Sequence, residues 1–186
     1  MATVYYTASS IDGFIADSQH SLAWLLSRDV DPAGPMGFGP FEAGVGAAAM
    51  GSSTYRWLLE NDLDDAGKPR WGMKIPCWVF SHQSLPPVEG DVRMVQGPVE
   101  AAHSEMVEVA GVRDVWVVGG GGLAGQFAAA GLLDEVWVQY APVALGAGAP
   151  LLPRHVEMRL LDVQRNRDFA CARYAVTSVQ PSVDNL

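Results

Sequence analysis

The alternation of apolar and polar positions along the chain predicts a series of strands and helices. Thr3–Ala8 is a run of β-branched, aromatic and small residues and reads as a first strand. Asp12-Gly13 is a favoured turn pair, and Phe14-Ile15-Ala16 follows as a short extended piece. Residues 29–40 hold three prolines and three glycines and read as a loop. Phe41–Gly46 is a short helical lead-in to Val45–Met50, an unbroken apolar run of the kind that forms a strand buried on both faces. Ser52–Asn61 places Tyr55, Leu58 and Leu59 on one helical face, with Ser52 or Ser53 as its cap. Residues 62–74 are polar and form a surface loop; Ile75–Ser81 and Val92–Val95 are strands. A helix then starts at Pro98, with Val99, Ala102, Met106 and Val109 at helical spacing. Val115–Val118 is a strand, Gly122–Ala130 a small-residue helix stopped at Gly131, and Val136–Val143 a strand. Gly146–Pro150 is a turn, and 159–164 with 169–177 make a final antiparallel hairpin. Alternating strands and helices followed by strands alone imply an α/β sheet, mainly parallel, with an antiparallel C-terminal edge.

Composition narrows this picture. At 186 residues, 49% hydrophobic and 18% charged, the chain is expected to fold as one domain over 1–186 with a buried core. A net charge of −9 argues against nucleic acid as a partner, since that needs a basic stripe. Five of the ten arginines lie between Arg154 and Arg173, spaced like the faces of a solvated sheet edge. Cys77 and Cys171 each sit in an apolar strand-like run, as reduced buried thiols do. No leader and no apolar stretch near the ~20 residues of a membrane span is visible, so the protein is expected in the cytoplasm without a membrane partner. The four histidines are scattered, His103 on a solvent-facing helix position, and no metal site is expected.

The most informative stretch is Val115–Gly125, where a strand runs straight into Gly119, Gly120, Gly121 and Gly122 and a helix starts at once. Without Cβ atoms this backbone can approach a ligand closely, and the free amides of the helix N-terminus suit a diphosphate. Gly120, Gly122 and Gly125 also fit the G-x-G-x-x-G spacing, but the strand after them ends without the acid of a Rossmann unit. Close packing of helix on strand is the alternative reading of the glycines.

Four stretches together resemble the dihydrofolate-reductase-like family, in particular the branch similar to the RibD C-terminal reductase domain. They are Ser10-Ile11-Asp12-Gly13-Phe14-Ile15-Ala16, Met50-Gly51-Ser52-Ser53-Thr54-Tyr55, Val118-Gly119-Gly120-Gly121, and Leu133-Asp134-Glu135 with Pro142-Val143 and Leu145-Gly146-Ala147-Gly148. The resemblance implies a three-layer fold around a central, mostly parallel sheet of about eight strands. It also implies hydride transfer from NADPH to a small pyrimidine- or pteridine-like substrate, as in the 5-amino-6-(5-phosphoribosylamino)uracil reductase of riboflavin biosynthesis. Main-chain groups near Ala8 and Ile15 would hold the nicotinamide. Gly51, Ser52, Ser53 and Thr54 would flank the diphosphate from one side, and Gly119, Gly120, Gly121, Gly122 and Leu123 from the other. Ser81 and His82 would lie by the adenosine ribose. Asp12 would shape the substrate loop, and Trp24 would wall the substrate pocket or pack in the core. The resemblance further implies a homodimer.

Two departures from the family pattern bear on function. Ser52 stands where the family has an arginine for the 2′-phosphate of NADPH, and a serine cannot supply a bidentate charged contact; NADH thus stays open as cofactor, with His82 or Arg56 as candidates to compensate. The region before the Met50-Gly51 motif offers only Glu42 as a catalytic acid. A nucleotide-binding protein of the same fold that lost catalysis is therefore the rival to a reductase, and a scaffold without a small ligand is a third reading.

Overall fold

A computed structural model describes residues 1–179. Its main sheet has eight strands: β1 (Thr3–Ser10), β3 (Val45–Gly51), β4 (Cys77–Phe80), β5 (Val92–Val95), β6 (Asp114–Gly119), β7 (Glu135–Ala141), β9 (Val156–Asn166) and β10 (Phe169–Val179). They lie in the order β5-β4-β3-β6-β1-β7-β10-β9. The first six run parallel, and β10 and β9 are antiparallel at one edge. Two short strands, β2 (Phe14–Ala16) and β8 (Ala149–Pro150), pair separately. The helices are α1 (Ala23–Leu26), α2 (Phe38–Ala43), α3 (Ser52–Asn61), α4 (Val99–Ala110) and α5 (Gly121–Ala129). The three layers and the mostly parallel eight-stranded sheet follow the sequence expectation.

Side-chain alternation along the strands sorts the helices onto two faces. Tyr5, Val115 and Val117 point into a core with Met106 of α4 and Phe127 of α5. Val4, Tyr6 and Trp116 point to the other side, against Phe41 of α2 and Tyr55 of α3. In β3 the residues Ala47, Ala48 and Ala49 are fully buried on alternating faces. Small side chains there let both layers come close: a Cβ on Gly46 would meet the Ala110 backbone of α4 at 2.7 Å.

Local chemistry accounts for most element ends. α5 stops as a Schellman motif, with Gly131 at φ +69°, Gly131 N–H donating to Ala128 O and Leu132 N–H to Phe127 O. α2 begins at Phe38, earlier than the Phe41 expected, because Pro40 falls in its first turn, where no intrahelical N–H is needed. Pro98 is the N-cap of α4 and stands just before its first helical residue. Ser52 and Ser53 do not cap α3, whose N-cap is Gly51. His103 is half-buried and not solvent-facing: its Nε2 lies 2.8 Å from the Thr3 hydroxyl and its ring meets Phe127 edge-on. The stretch expected as a turn at 146–150 contains β8. β9 is longer than the 159–164 expected, because an edge strand solvated on both faces carries no alternation to reveal its ends.

Candidate functional site

β3 and β6 are parallel neighbours, with Met50 opposite Gly119, so they end at the same level. Each runs directly into a helix, α3 behind Gly51 and α5 behind Gly120, and neither helix has a side-chain cap. Their first amides, lacking intrahelical acceptors, therefore open toward one shared edge with both dipoles behind them. A Cβ on Gly51 would lie 3.8 Å from Gly119 O, and one on Gly119 would lie 3.5 Å from the Thr54 hydroxyl. The two turns thus form a single groove. Gly119 has φ +145°, a conformation that L side chains rarely adopt, and the Gly119–Gly120 peptide is cis. Gly122 has no atom within 4 Å of an added Cβ, whereas Gly121 would press on Pro150 O at 2.2 Å and Leu151 O at 2.4 Å. The close-packing reading of the glycines therefore applies to Gly121, and the open-backbone reading to Gly122.

The segment against Gly121 is held in place by the chain's opening turn. The Asp12 carboxylate accepts hydrogen bonds from the Ser10 hydroxyl (2.5 Å), Leu145 N–H (3.0 Å) and Gly146 N–H (2.7 Å). These donors hold its carboxyl down at about 2, the Ser10 hydroxyl contributing most and the two amides next. Leu151 N–H donates to Gly13 O, and β2 pairs with β8. Ile15 of β2 approaches the groove, its Cδ1 3.6 Å from where a Gly120 Cβ would be. Asp12 accordingly shapes the loop from a distance.

Beside the groove, on the α2 face of β1 and β6, lies a cavity of about 300 Å³. The strand ends give it Tyr6, Thr7 and Ala8 from β1, Trp116 and Val118 from β6, Gln139 from β7 and Phe169 from β10. Leu25 of α1, Val30 and Pro32 of the following loop and Phe38 of α2 close it. Three polar side chains pin that loop to the sheet. Tyr6 Oη donates to Met36 O (3.1 Å), Gln139 Nε2 donates to the same oxygen (2.7 Å), and buried Asn166 bonds Asp31 and Pro35. The Cys171 thiol donates to Gln139 Oε1 at 2.6 Å. Phe38 and Trp116 have ring centroids 5.4 Å apart.

A second cavity, of about 450 Å³, lies at the ends of β4 and β5 and includes Ser81, Gln83, Leu85, Met94 and Gln96. Arg56, one turn along α3 from Ser52, hydrogen-bonds the Gln83 side chain at its rim. The second cavity, the glycine groove and the aromatic cavity follow one another along the same C-terminal edge of the parallel strands, where α/β sheets bind ligands.

The structure therefore brings together Ala8, Ile15, Gly51, Thr54 and Gly119–Gly122, with Ser81 at the far end. His82 is exposed and does not line the second cavity. Trp24 is buried with Ala141, Phe169 and Cys171, while its neighbour Leu25 faces the aromatic cavity. Glu42 is exposed on α2 and lies outside the cavity lining. Sequence reasoning missed Tyr6, Phe38, Trp116, Gln139 and Phe169. The signal for the strand members is the two-residue period on one sheet face, which identifies a wall only once strand order is known. Cys77 is fully buried, and burial pushes its thiol up to about 12. Among the described residues no helix is long and apolar enough to cross a membrane.

Comparisons with known proteins bear on the fold. Residues 88–172 match the family model of the RibD C-terminal domain. The uncharacterized protein YwjB of Bacillus subtilis (strain 168) is 28% identical over 170 residues, covering 91% of this chain and 93% of that protein. A putative riboflavin biosynthesis protein from Shewanella sp. PV-4 superimposes with a TM-score of 0.78 at 24% identity, over 95% of this chain and 99% of that one. Acinetobacter baumannii RibD gives a TM-score of 0.70 at 18% identity, and the match spans 95% of this chain but 58% of that one. The Thermotoga maritima diaminohydroxyphosphoribosylaminopyrimidine deaminase/5-amino-6-(5-phosphoribosylamino)uracil reductase gives 0.65 at 17%, over 95% of this chain and 56% of that one. By sequence, residues 88–172 are thus similar to the RibD C-terminal domain, and the chain has the dihydrofolate-reductase-like fold of these RibD structures.

Proposed function

We propose that the chain is an NAD(P)H-dependent reductase of a small heterocyclic substrate. The observation that carries the reading is the meeting of two glycine-capped helix N-termini, α3 and α5, at adjacent strand ends beside an aromatic cavity. The residues present fit a dinucleotide. Amides after Gly51 and Gly120, with the Thr54 hydroxyl, would hold the diphosphate. Backbone near Ala8 and Ile15 would hold the nicotinamide, and the Ser81–Gln83 end would hold the adenosine. Arg56, fixed at the rim of the second cavity, is the side chain that would meet a 2′-phosphate in place of Ser52, which favours NADPH.

When bound, a reduced nicotinamide supplies a hydride to an electron-poor double bond, whose other atom takes a proton. The protein's part is position and exclusion of water: the strand ends set the depth of the cavity, and the pinned 28–37 loop closes its side. Among the described residues no carboxylate lines the cavity, so the proton would come from water at its mouth. That same absence favours the second reading, a nucleotide-binding protein of this fold without turnover. A cytoplasmic homodimer is part of the first reading, carried over from the family resemblance.

Titration of the tryptophan fluorescence with NADPH and NADH tests the cofactor site. Micromolar binding, tighter for NADPH, is the expected result; no binding of either up to millimolar concentration sinks both readings. Binding without oxidation of NADPH by any flat carbonyl or heterocyclic compound leaves the second.

A further inference from the structure

We infer that the molecule bound beside the nicotinamide position is uncharged, flat and largely apolar, and carries no phosphate. This rests on the reductase reading and names the class of substrate it acts on. The uracil for which the Thermotoga reductase is named, by contrast, bears a phosphoribosyl group.

Among the described residues the cavity lining contains no lysine, arginine, histidine, aspartate or glutamate. Its polar side chains are already engaged within the protein. Tyr6 Oη and Gln139 Nε2 both serve Met36 O, Gln139 Oε1 takes the Cys171 thiol, and Thr7 Oγ1 donates to Ala8 O at 3.3 Å. A phosphate placed here would lose its hydration and find no cation, the costly arrangement for a buried charge. The mouth offers no remedy. The loop carrying Val30 and Pro32 and the turn touching it bring Asp29, Asp31 and Asp168 against Arg28 and Arg167. Arg167 is paired with Asp29 at 3.6 Å, and Arg28 Nε donates to Trp24 O at 3.3 Å. Arg165 Nε donates to Arg167 O in the same turn, so three carboxylates face three guanidiniums there and the rim carries no net positive charge to attract an anion.

What the cavity does offer is aromatic surface. Phe38 and Trp116 are inclined at 56° to each other, Tyr6 stands 6.0 Å from Phe38, and Phe169 adds a further ring from β10, two strands from β1. Rings recognise a flat ligand by stacking and edge contacts without needing charge. A volume of about 300 Å³ stands at the small end of ligand pockets and suits two fused rings.

Calorimetric titration with 1,4-naphthoquinone and with its 2-sulfonate isolates charge from shape, and 5-amino-6-(5-phosphoribosylamino)uracil serves as the phosphorylated comparison. We expect naphthoquinone to bind at least tenfold more tightly than either anion. Val30→Arg, at a half-exposed lining position, should narrow that gap by adding a cation to the wall. Equal or tighter binding of the sulfonate or the phosphorylated uracil by the unaltered chain overturns the inference. NADPH binding is read separately. Its loss with the naphthoquinone preference intact sinks the reductase reading and leaves the cavity's preference standing.

Discussion

The glycine groove and the aromatic cavity adjoin each other yet are built on opposite principles. The groove consists of main chain contributed by two short stretches, Gly51–Thr54 and Gly119–Gly122, and works by leaving side chains out. The cavity consists of side chains from seven separate elements and loops, and works by bringing rings together. A backbone site of this kind suits a constant partner, since amides read a diphosphate and little else. A side-chain site can be relined position by position without disturbing its neighbour. Cofactor and substrate recognition should therefore separate under mutation.

The most damaging change should be Gly121→Ala. Its Cβ would press on two backbone carbonyls, at 2.2 and 2.4 Å, that cannot swing aside. We expect a loss of about 3 kcal/mol or more of stability, read as a lower denaturation midpoint, with groove and cavity lost together. Gly120→Val should instead spare the fold, since its Cβ meets only Ile15 Cδ1 at 3.6 Å. It should weaken NADPH by about tenfold or more, roughly 1.4 kcal/mol, while naphthoquinone binding in calorimetry stays unchanged. Loss of both ligands would erase the distinction between the two regions. The smallest effect belongs to Asp12, which serves both regions by holding the 145–151 segment. Its carboxyl sits at about 2 in the folded chain, against about 3.9 in an unfolded one. A depressed folded value means that its contribution is whole above about pH 4 and is lost as pH falls toward 2. Asp12→Asn should flatten that part of the acid-unfolding curve and leave the neutral region's slope untouched.

The same contrast explains what the sequence made legible. The groove was readable because its determinants are contiguous: four glycines after Val118, and Gly51-Ser52-Ser53-Thr54 after Met50. Helices α3 and α4 were readable from period and glycine placement, and the hairpin from its apolar strand-like runs, though not its ends. The cavity was not, because Tyr6, Trp116, Gln139 and Phe169 become neighbours only through the strand order, and each alone looks like ordinary core. Phe38 was hidden in a Pro/Gly-rich stretch whose turn of helix depends on packing against Tyr6 and Trp116. Trp24 carried a strong residue type but a weak position, one residue from the wall. Glu42 had the right chemistry for an acid, and its surface helix leaves it in water.

The central place of β1 has a consequence for how the molecule comes into being. Its start is fastened to chain made much later: Ala2 N–H to Asp114, 112 residues on, and Thr3 N–H to Asp134, 131 residues on. A nascent polypeptide emerging from the ribosome holds β1 without either lateral neighbour until β6 and β7 have been synthesised. Such long-range closure belongs to the slow, millisecond-to-second regime of assembly. Any fragment ending before β7 lacks Gln139 and Phe169 from the wall of the aromatic cavity, so the first strand made is among the last to find its place.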